Sequence, residues 1–348
     1  MRADIEHKLN ETWYGDAPAP WWMNALVPLY RLVNRADRWR KTRQQPDDLR
    51  STVIIIVGNI TAGGSGKTPL VIRLCQLLHQ AGLSAGVISR GYGRKDQKLR
   101  LVSPASDPAI VGDEPLVIAQ RTQVPVIVSN DRCEAARKLL KKEVDVIISD
   151  DGLQHYRLPG TIEICVIDGS RGFGSGKLIP AGPLREPLDR LASFDHIIVN
   201  GAASDELANR ITQNTGDETA ITPMVVEAGM LRAMDSGQSW RLAQFGGCKA
   251  NAVAGIGNPN RFFDLLRQAR ISACEHVFPD HHVYSLADFE KMDPLLPILM
   301  TEKDAVKCRS LGLKNAWYLS VDAQLPHAWE QALIKRVMQG AGDREDRE

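Results

Sequence analysis

The chain has 348 residues, enough for one large or two moderate domains around a sizeable core. Its 43 Lys and Arg nearly balance 42 Asp and Glu, for a formal net charge of +1, so the chain as a whole carries no strong field for steering nucleic acid. No window approaches the roughly 20 apolar residues of a membrane span, and residues 1–11 lack the apolar stretch and cleavage site of a signal peptide, which argues for the cytoplasm. Six scattered cysteines, none in a Cys-x-x-Cys pair, read as small buried hydrophobes in a reducing compartment.

Residues 21–33, Trp-Trp-Met-Asn-Ala-Leu-Val-Pro-Leu-Tyr-Arg-Leu-Val, precede a basic run of Arg35, Arg38, Arg40, Lys41 and Arg43 with Trp39 among them. Such a segment either lies in a membrane interface or packs on the protein's own core, because an amphipathic pattern does not say what covers its apolar face. Val53–Val57 is an unbroken β-branched run, the pattern of a strand buried on both faces of a parallel sheet. A Gly-rich loop follows, then helical spacing over Leu70–Gln80 closed by Gly82. Further strands are expected at Ala85–Ser89, Val124–Ser129, Val144–Ser149, Ile162–Ile167 and His196–Asn200, with a helix at Arg132–Lys142. This alternation predicts an α/β fold with a mainly parallel sheet. Residues 169–187 read as a long functional or mobile loop, and 201–250 as a polar connection into a second part. There, Asn251–Gly257 predicts a strand and turn, Arg261–Ala269 a helix, and Pro297–Thr301 and Ala316–Val321 strands; residues 340–348 are charged and expected to fray.

The chemistry concentrates first in Gly58-Asn-Ile-Thr-Ala-Gly-Gly-Ser-Gly-Lys-Thr68, which follows a strand and opens a helix, the context a P-loop requires. Residues Thr61, Ala62, Gly63, Gly64, Ser65 and Gly66 would curl amides around nucleotide phosphates. Lys67 would reach the β- and γ-phosphates, and the Thr68 hydroxyl would meet Mg²⁺. Thr61 departs from the usual pattern, which has Gly six residues before the Lys. A second run, Gly172-Phe-Gly-Ser-Gly-Lys177, is followed by Leu178 where Ser or Thr should stand, and reads as a flexible loop. Asp150 and Asp151 close an apolar strand, where they serve either as Mg²⁺ carboxylates or as loop residues capping the next turn. Asp113 in Gly112-Asp-Glu-Pro115 is a candidate base for a hydroxyl acceptor, or simply a helix start. His281 and His282 follow Asp280, a setting that can tune a catalytic carboxylate or form a structural turn. Arg90, Arg94 and Arg185 are candidates to grip a phosphate on the acceptor. Lys303 in Thr301-Glu-Lys-Asp304 falls one place late for the guanine-reading [NT]-K-x-D.

These stretches, together with Ser89-Arg-Gly-Tyr-Gly-Arg94, Ser149-Asp-Asp-Gly-Leu-Gln-His155, Ile179-Pro-Ala-Gly-Pro-Leu-Arg-Glu-Pro187, Gly255-Ile-Gly-Asn-Pro259, Phe278-Pro-Asp-His-His282 and Thr301-Glu-Lys-Asp-Ala-Val-Lys307, resemble in order the tetraacyldisaccharide 4′-kinase family. Thr61 fits that family's own version of the loop. The resemblance implies a P-loop NTPase-like kinase core at 46–225, a smaller C-terminal α/β domain at 226–340 joined by a hinge, and a membrane-associating helical segment at 1–45. It implies ATP and Mg²⁺ as cofactors and transfer to the 4′-hydroxyl of a tetraacylated disaccharide 1-phosphate, giving lipid IVA at the cytoplasmic face of a bacterial inner membrane. Asp113 is then the base and His281 its helper, with Lys67 and Asp151 also in the catalytic set. Thr68, Asp150, Asp151 and Glu186 form the expected metal set. Expected partners are the lipid disaccharide and the inner-membrane surface; no nucleic acid or obligate protein partner is expected.

Overall fold

The computed structural model describes residues 2–15, 17–216 and 221–345. The first half runs α1 (Arg2–Tyr14), α2 (Trp21–Thr42), β1 (Val53–Gly58), α3 (Lys67–Gln80), β2 (Ala85–Ser89), β3 (Arg100–Val102), α4 (Pro108–Val111), α5 (Asp113–Thr122), β4 (Val126–Val128), α6 (Arg132–Leu140), β5 (Val146–Asp150), β6 (Ile162–Asp168), β7 (His196–Asn200) and α7 (Asp205–Thr215). The second half runs β8 (Ile221–Ala233), β9 (Ser239–Arg241), β10 (Lys249–Ala254), α8 (Pro259–Gln268), β11 (Ser272–Val277), β12 (Ile298–Thr301), α9 (Glu302–Cys308), β13 (Ala316–Gln324) and α10 (His327–Glu345).

The strands line up in the order β11-β10-β12-β13-β8-β7-β6-β1-β5-β2-β4-β3, with β9 on β8. All neighbours are parallel except β13–β8, β8–β9 and β3–β4. The β-branched run of β1 explains its central place. Val53, Ile55 and Val57 pack with Leu70, Leu74 and Leu78 of α3, while Ile54 and Ile56 join Ala136 and Leu139 of α6 on the other face. Both faces of this strand are therefore dry, at roughly 1.5–3 kcal/mol for each large side chain buried. Strand order reverses at β1, between β5 and β6, which makes the carboxyl ends there the crevice where open α/β sheets bind ligands.

The 201–250 stretch is more ordered than its polarity predicts. It holds α7 and the 13-residue β8, whose first part, Ile221–Met224, pairs in parallel with β7 and whose remainder, from Val225, pairs antiparallel with β13. One strand thus belongs to both sheets. Pro223 falls where β8 has a strand on one side only, a position at which its missing N–H is tolerated. Beyond β8, Leu231, Ala252, Phe263, Leu266, Leu299 and Leu319 form a smaller core.

Residues 327–345 return to the first half. Leu333 and Val337 of α10 join the core of Val53 and Ile55, and Arg73 of α3 donates two hydrogen bonds to Glu330, at 2.8 and 2.9 Å. The charged end is helical through Glu345; residues 346–348 lie outside the described residues.

The N-terminal helices clasp the loop that precedes β7. Tyr30 and Asn34 of α2 donate to the Arg185 carbonyl, Trp13 of α1 to the Pro180 carbonyl, and Tyr14 to the Ala62 carbonyl. Val27 and Tyr30 pack on the core. The opposite face leaves Trp21, Trp22, Leu26, Leu29, Leu32, Val33 and Trp39 exposed. Among the described residues no helix is long and apolar enough to cross a membrane. The 172–177 run is pinned rather than loose: Ser175 donates to the Trp13 carbonyl and Lys177 to Asn24. Cys75, Cys133, Cys165 and Cys308 are buried as expected, whereas Cys248 and Cys274 are exposed.

Candidate active site

Carboxyl ends of five strands converge on the loop between β1 and α3. β1 contributes Asn59 just past its end, β5 Asp150 and Asp151, β6 Asp168, β7 Asn200 and β2 Ser89. Gly63 and Gly66 have φ of 110° and 96°, conformations that favour glycine, and a side chain on Gly66 would run into Asn200. Asn200 fixes the loop by donating to the Ser65 carbonyl at 3.0 Å. Thr61 needs no such freedom. It forms an isolated bridge with Leu184, and the neighbouring Ala62 N–H donates to the Pro183 carbonyl at 2.8 Å. The loop therefore starts as extended backbone propped by residues 178–185, which accounts for a threonine where glycine is usual.

Lys67 begins α3 and donates to Asn59 Oδ1 at 3.1 Å, and its ammonium lies 3.3 Å from Asp151 Oδ1. Asp151 sits in a left-handed conformation, φ 49°, which aims it at Lys67 and at Arg185, 3.4 Å away. Burial opposes its ionisation, but Lys67 and Arg185 outweigh burial and hold it well below the usual carboxylate range. Its neighbour Asp150 is pushed up to about 7 by burial and by the charges of Glu114 and Asp151. Asp150 Oδ2 accepts from Ser89 at 3.3 Å, while its buried Oδ1 has no protein partner. A divalent cation would offset the repulsion between these carboxylates and satisfy that oxygen, so the donor set fits Mg²⁺. Among the described residues no group of three or more His, Cys, Asp or Glu is arranged to hold a metal alone; a phosphate-bound Mg²⁺ takes one or two protein carboxylates and fills the rest with phosphate and water. Glu186 is engaged elsewhere, buried and accepting from Gln154 at 2.7 Å and paired with Arg190 at 3.3 Å. One oxygen is thus tied to Gln154 and the other to Arg190 of the following turn.

Asp113 opens α5, as the helix-start reading expects, and its side chain is buried. Gly91 and Gly112 are stacked so closely that a Cβ on Gly112 would lie 2.9 Å from Gly91 Cα, which brings the 90–94 loop against the start of α5. Opposite stands His281, at φ 59° in the turn after β11, with its Nδ1 3.0 Å from Asp113 Oδ2. Burial raises the Asp113 carboxyl, but Lys303 and His281 more than compensate and bring it to about 2. His282 stacks on Phe278 and faces Asp288, a structural role. Arg94 donates to the carbonyls of Gln97 and Lys98 within its own loop, whereas Arg90 is exposed.

The second half lies over the loop. A Cβ on Gly257 would be 3.2 Å from Gly64 N and 3.5 Å from Asp280, and Arg171 donates to the Gly257 carbonyl at 2.9 Å. Asp113 and the phosphate loop thus meet the 255–259 and 278–282 loops across a single cleft.

The sequence model of the family described as "Tetraacyldisaccharide-1-P 4′-kinase" (LpxK) matches residues 19–338 of this chain. The chain belongs to the tetraacyldisaccharide 4′-kinase family. It is 46% identical over 334 residues to the tetraacyldisaccharide 4′-kinase of Stenotrophomonas maltophilia, covering 93% of this chain and 95% of that one. It is 46% identical over 289 residues to the enzyme of that name from Shewanella piezotolerans, covering 82% of this chain and 83% of that one. The crystal structure of LpxK from Aquifex aeolicus in complex with ATP superposes with a TM-score of 0.71 at 26% identity, over 91% of this chain and 98% of that one.

Within this 4′-kinase fold the sequence left several site residues unassigned. Asn59 and Asn200 support the loop, and Lys303 reaches Glu114, Asp280 and Asp113. Lys303 lies in the Thr301-Glu-Lys-Asp304 motif, but nothing in its local pattern says that it points toward Asp113.

Proposed function

We propose that this chain transfers the γ-phosphoryl group of ATP to the 4′-hydroxyl of tetraacyldisaccharide 1-phosphate, with Asp113 receiving the hydroxyl proton. The observation that carries this reading is the 3.0 Å contact between Asp113 and His281, brought together from opposite halves of the chain beside the phosphate loop. Amides of 62–66 and the Lys67 ammonium bind the β- and γ-phosphates, while Asn59 and Asn200 keep the loop in shape. Thr68, Asp150 and Asp151 would hold Mg²⁺, which would supply positive charge to offset that of the phosphates. Asp113 is a weak base, yet a loose phosphoryl-transfer transition state releases the acceptor proton late, when the hydroxyl oxygen is already bonding to phosphorus. Its tasks are to orient the hydroxyl and to take a proton that has become acidic. His281 holds the carboxylate in place, donating from Nδ1 in the tautomer that an ionised acceptor requires.

The acceptor is a lipid, and the outer face of α2 supports contact with a membrane surface. Its exposed Trp, Leu and Val side chains stand beside exposed Arg31, Arg35, Arg40 and Arg43. Each basic group near an anionic leaflet contributes about 1 kcal/mol, and apolar side chains add to this as they enter the interface. We therefore infer peripheral association with the cytoplasmic face of the inner membrane through residues 1–45. The decisive assay incubates labelled ATP with the disaccharide 1-phosphate and scores a new 4′-monophosphate. Nucleotide turnover undiminished without the lipid acceptor would refute the kinase reading in favour of a hydrolytic switch.

A further inference from the structure

Three carboxylates meet one ammonium at the edge of this cleft. Lys303 Nζ lies 3.1 Å from Glu114 Oε1, 3.1 Å from Asp280 Oδ1 and 3.9 Å from Asp113 Oδ2. The first two are hydrogen bonds. Glu114 and Asp113 start α5 in the first half, while Asp280 and Lys303 come from the second. Lys303 is also in the wrong place for its own helix: it sits in the first turn of α9, where the macrodipole disfavours a cation. The preceding residue, Glu302, turns the other way and pairs with Arg121 near the far end of α5, at 2.9 Å. Consecutive residues of α9 thus hold α5 near both ends.

We propose that Lys303 is a positioning residue for phosphoryl transfer: its ammonium gathers Asp113, Glu114 and Asp280, and so keeps the start of α5 and the 279–282 turn in the arrangement that sets His281 against Asp113. This rests on the reading of Asp113 as the base. Without the ammonium, three carboxylates in a largely buried pocket repel one another, and protonation of one of them is the simplest relief. Asp113 is the most buried of the three, at 5% side-chain exposure against 30% for Glu114 and 33% for Asp280, and is the one driven to protonate. A protonated Asp113 cannot accept the hydroxyl proton. Groups facing it are His281, Lys303, Lys307 and the adjoining Glu114 and Asp280.

The test uses the full chain with ATP and the disaccharide 1-phosphate, recording kcat, both KM values and the pH profile of kcat from about pH 5 to 9. Lys303→Met is expected to lower kcat by about 10²-fold, the scale of general-base catalysis, with KM for ATP within about threefold of wild type. A further acidic limb, beyond any that Asp150 gives the wild-type profile, should appear, because the base now protonates within the measured range. Lys303→Arg keeps the charge but changes the geometry. It should retain the wild-type profile with intermediate kcat. Lys303→Gln, with a neutral hydrogen-bonding head, is read alongside in case the methionine variant does not fold. A folded Lys303→Met or Lys303→Gln with wild-type kcat and no new acidic limb overturns the proposal, as does a limb equally present in Lys303→Arg. Asp113→Asn separates this from failure of the underlying reading. If Asp113→Asn turns over normally the base assignment fails; if it is inactive while the neutral Lys303 variants are unchanged, only the Lys303 proposal fails.

Discussion

Asp304 never faces the cleft, yet its replacement should disturb both stability and turnover. Its side chain is fully buried and accepts from Gly255 N–H at 2.9 Å, Thr301 Oγ1 at 2.6 Å and Tyr284 OH at 3.0 Å, and it pairs with Lys307 at 2.8 Å. Asp304→Asn retains one carbonyl acceptor but removes the charge, which strands Lys307, itself only 10% exposed. Breaking a buried ion pair by removing one partner costs about 3–5 kcal/mol, and the weakened charge-assisted bonds overlap with that figure rather than adding to it. Taking about 3 kcal/mol at roughly 2 °C each for a chain of this size gives a fall of about 6 °C in Tm, and about twice that if the second half melts alone. The Gly255 N–H bond also anchors the loop that carries Gly257 over Gly64. A shift of about 1 Å there is enough to lower kcat/KM by about 10²-fold. Thermal melts and steady-state assays on the same preparation make the comparison. An Asp304→Asn protein with unchanged Tm and kcat/KM would refute the argument that this carboxylate organises the cleft.

Lys67→Ala and Asp150→Ala should each remove most phosphoryl transfer, by about 10²-fold or more, in a product-forming assay; near-normal kcat in Lys67→Ala would remove the phosphate-loop assignment. The Asp113 carboxyl lies below its ordinary value of 3.8, at about 2, so its contribution to stability is full above about pH 4 and is lost as pH falls through about 2. Denaturant melts of wild type and Asp113→Asn should therefore converge over that window, and parallel pH curves would contradict the assigned environment. Replacing Trp22, Leu29 and Leu32 with Ser should lower sedimentation with anionic vesicles by at least about 10²-fold, since each apolar side chain contributes about 1.5–3 kcal/mol when fully buried. Activity toward detergent-dispersed acceptor should persist, and undiminished vesicle binding would exclude this face of α2.

The parts read most readily from sequence are those encoded by neighbours. The β-branched run of β1, the glycines after it and the apolar spacing of α3 all lie within thirty residues, and the fold keeps them as that local pattern requires. Asp150 and Asp151 are legible for the same reason, as polar residues ending an apolar strand. β8 is not, because Pro223, Glu227 and Gly229 interrupt its pattern and its two parts serve different sheets. β11 is an edge strand with mostly exposed side chains, so no apolar alternation marks it. Residues 169–187 look mobile by composition, but the partners that pin them come from α1 and α2, more than 140 positions away. The same distance in sequence hides Lys303 from Asp113.

The chain passes between the halves twice, once within β8 and once after β13, and the two passages run side by side, with Val225 opposite Gln324. The strap that joins the halves is therefore two plies wide and cross-linked by backbone hydrogen bonds. A ribbon of this kind is stiff against bending in its own plane and compliant to twist and to bending across its thickness. Any relative motion of the halves would be channelled into those compliant directions. A proline or glycine pair placed at Val225 and Gln324 would turn the ribbon into two loose tethers and release that constraint without touching a single residue of the cleft.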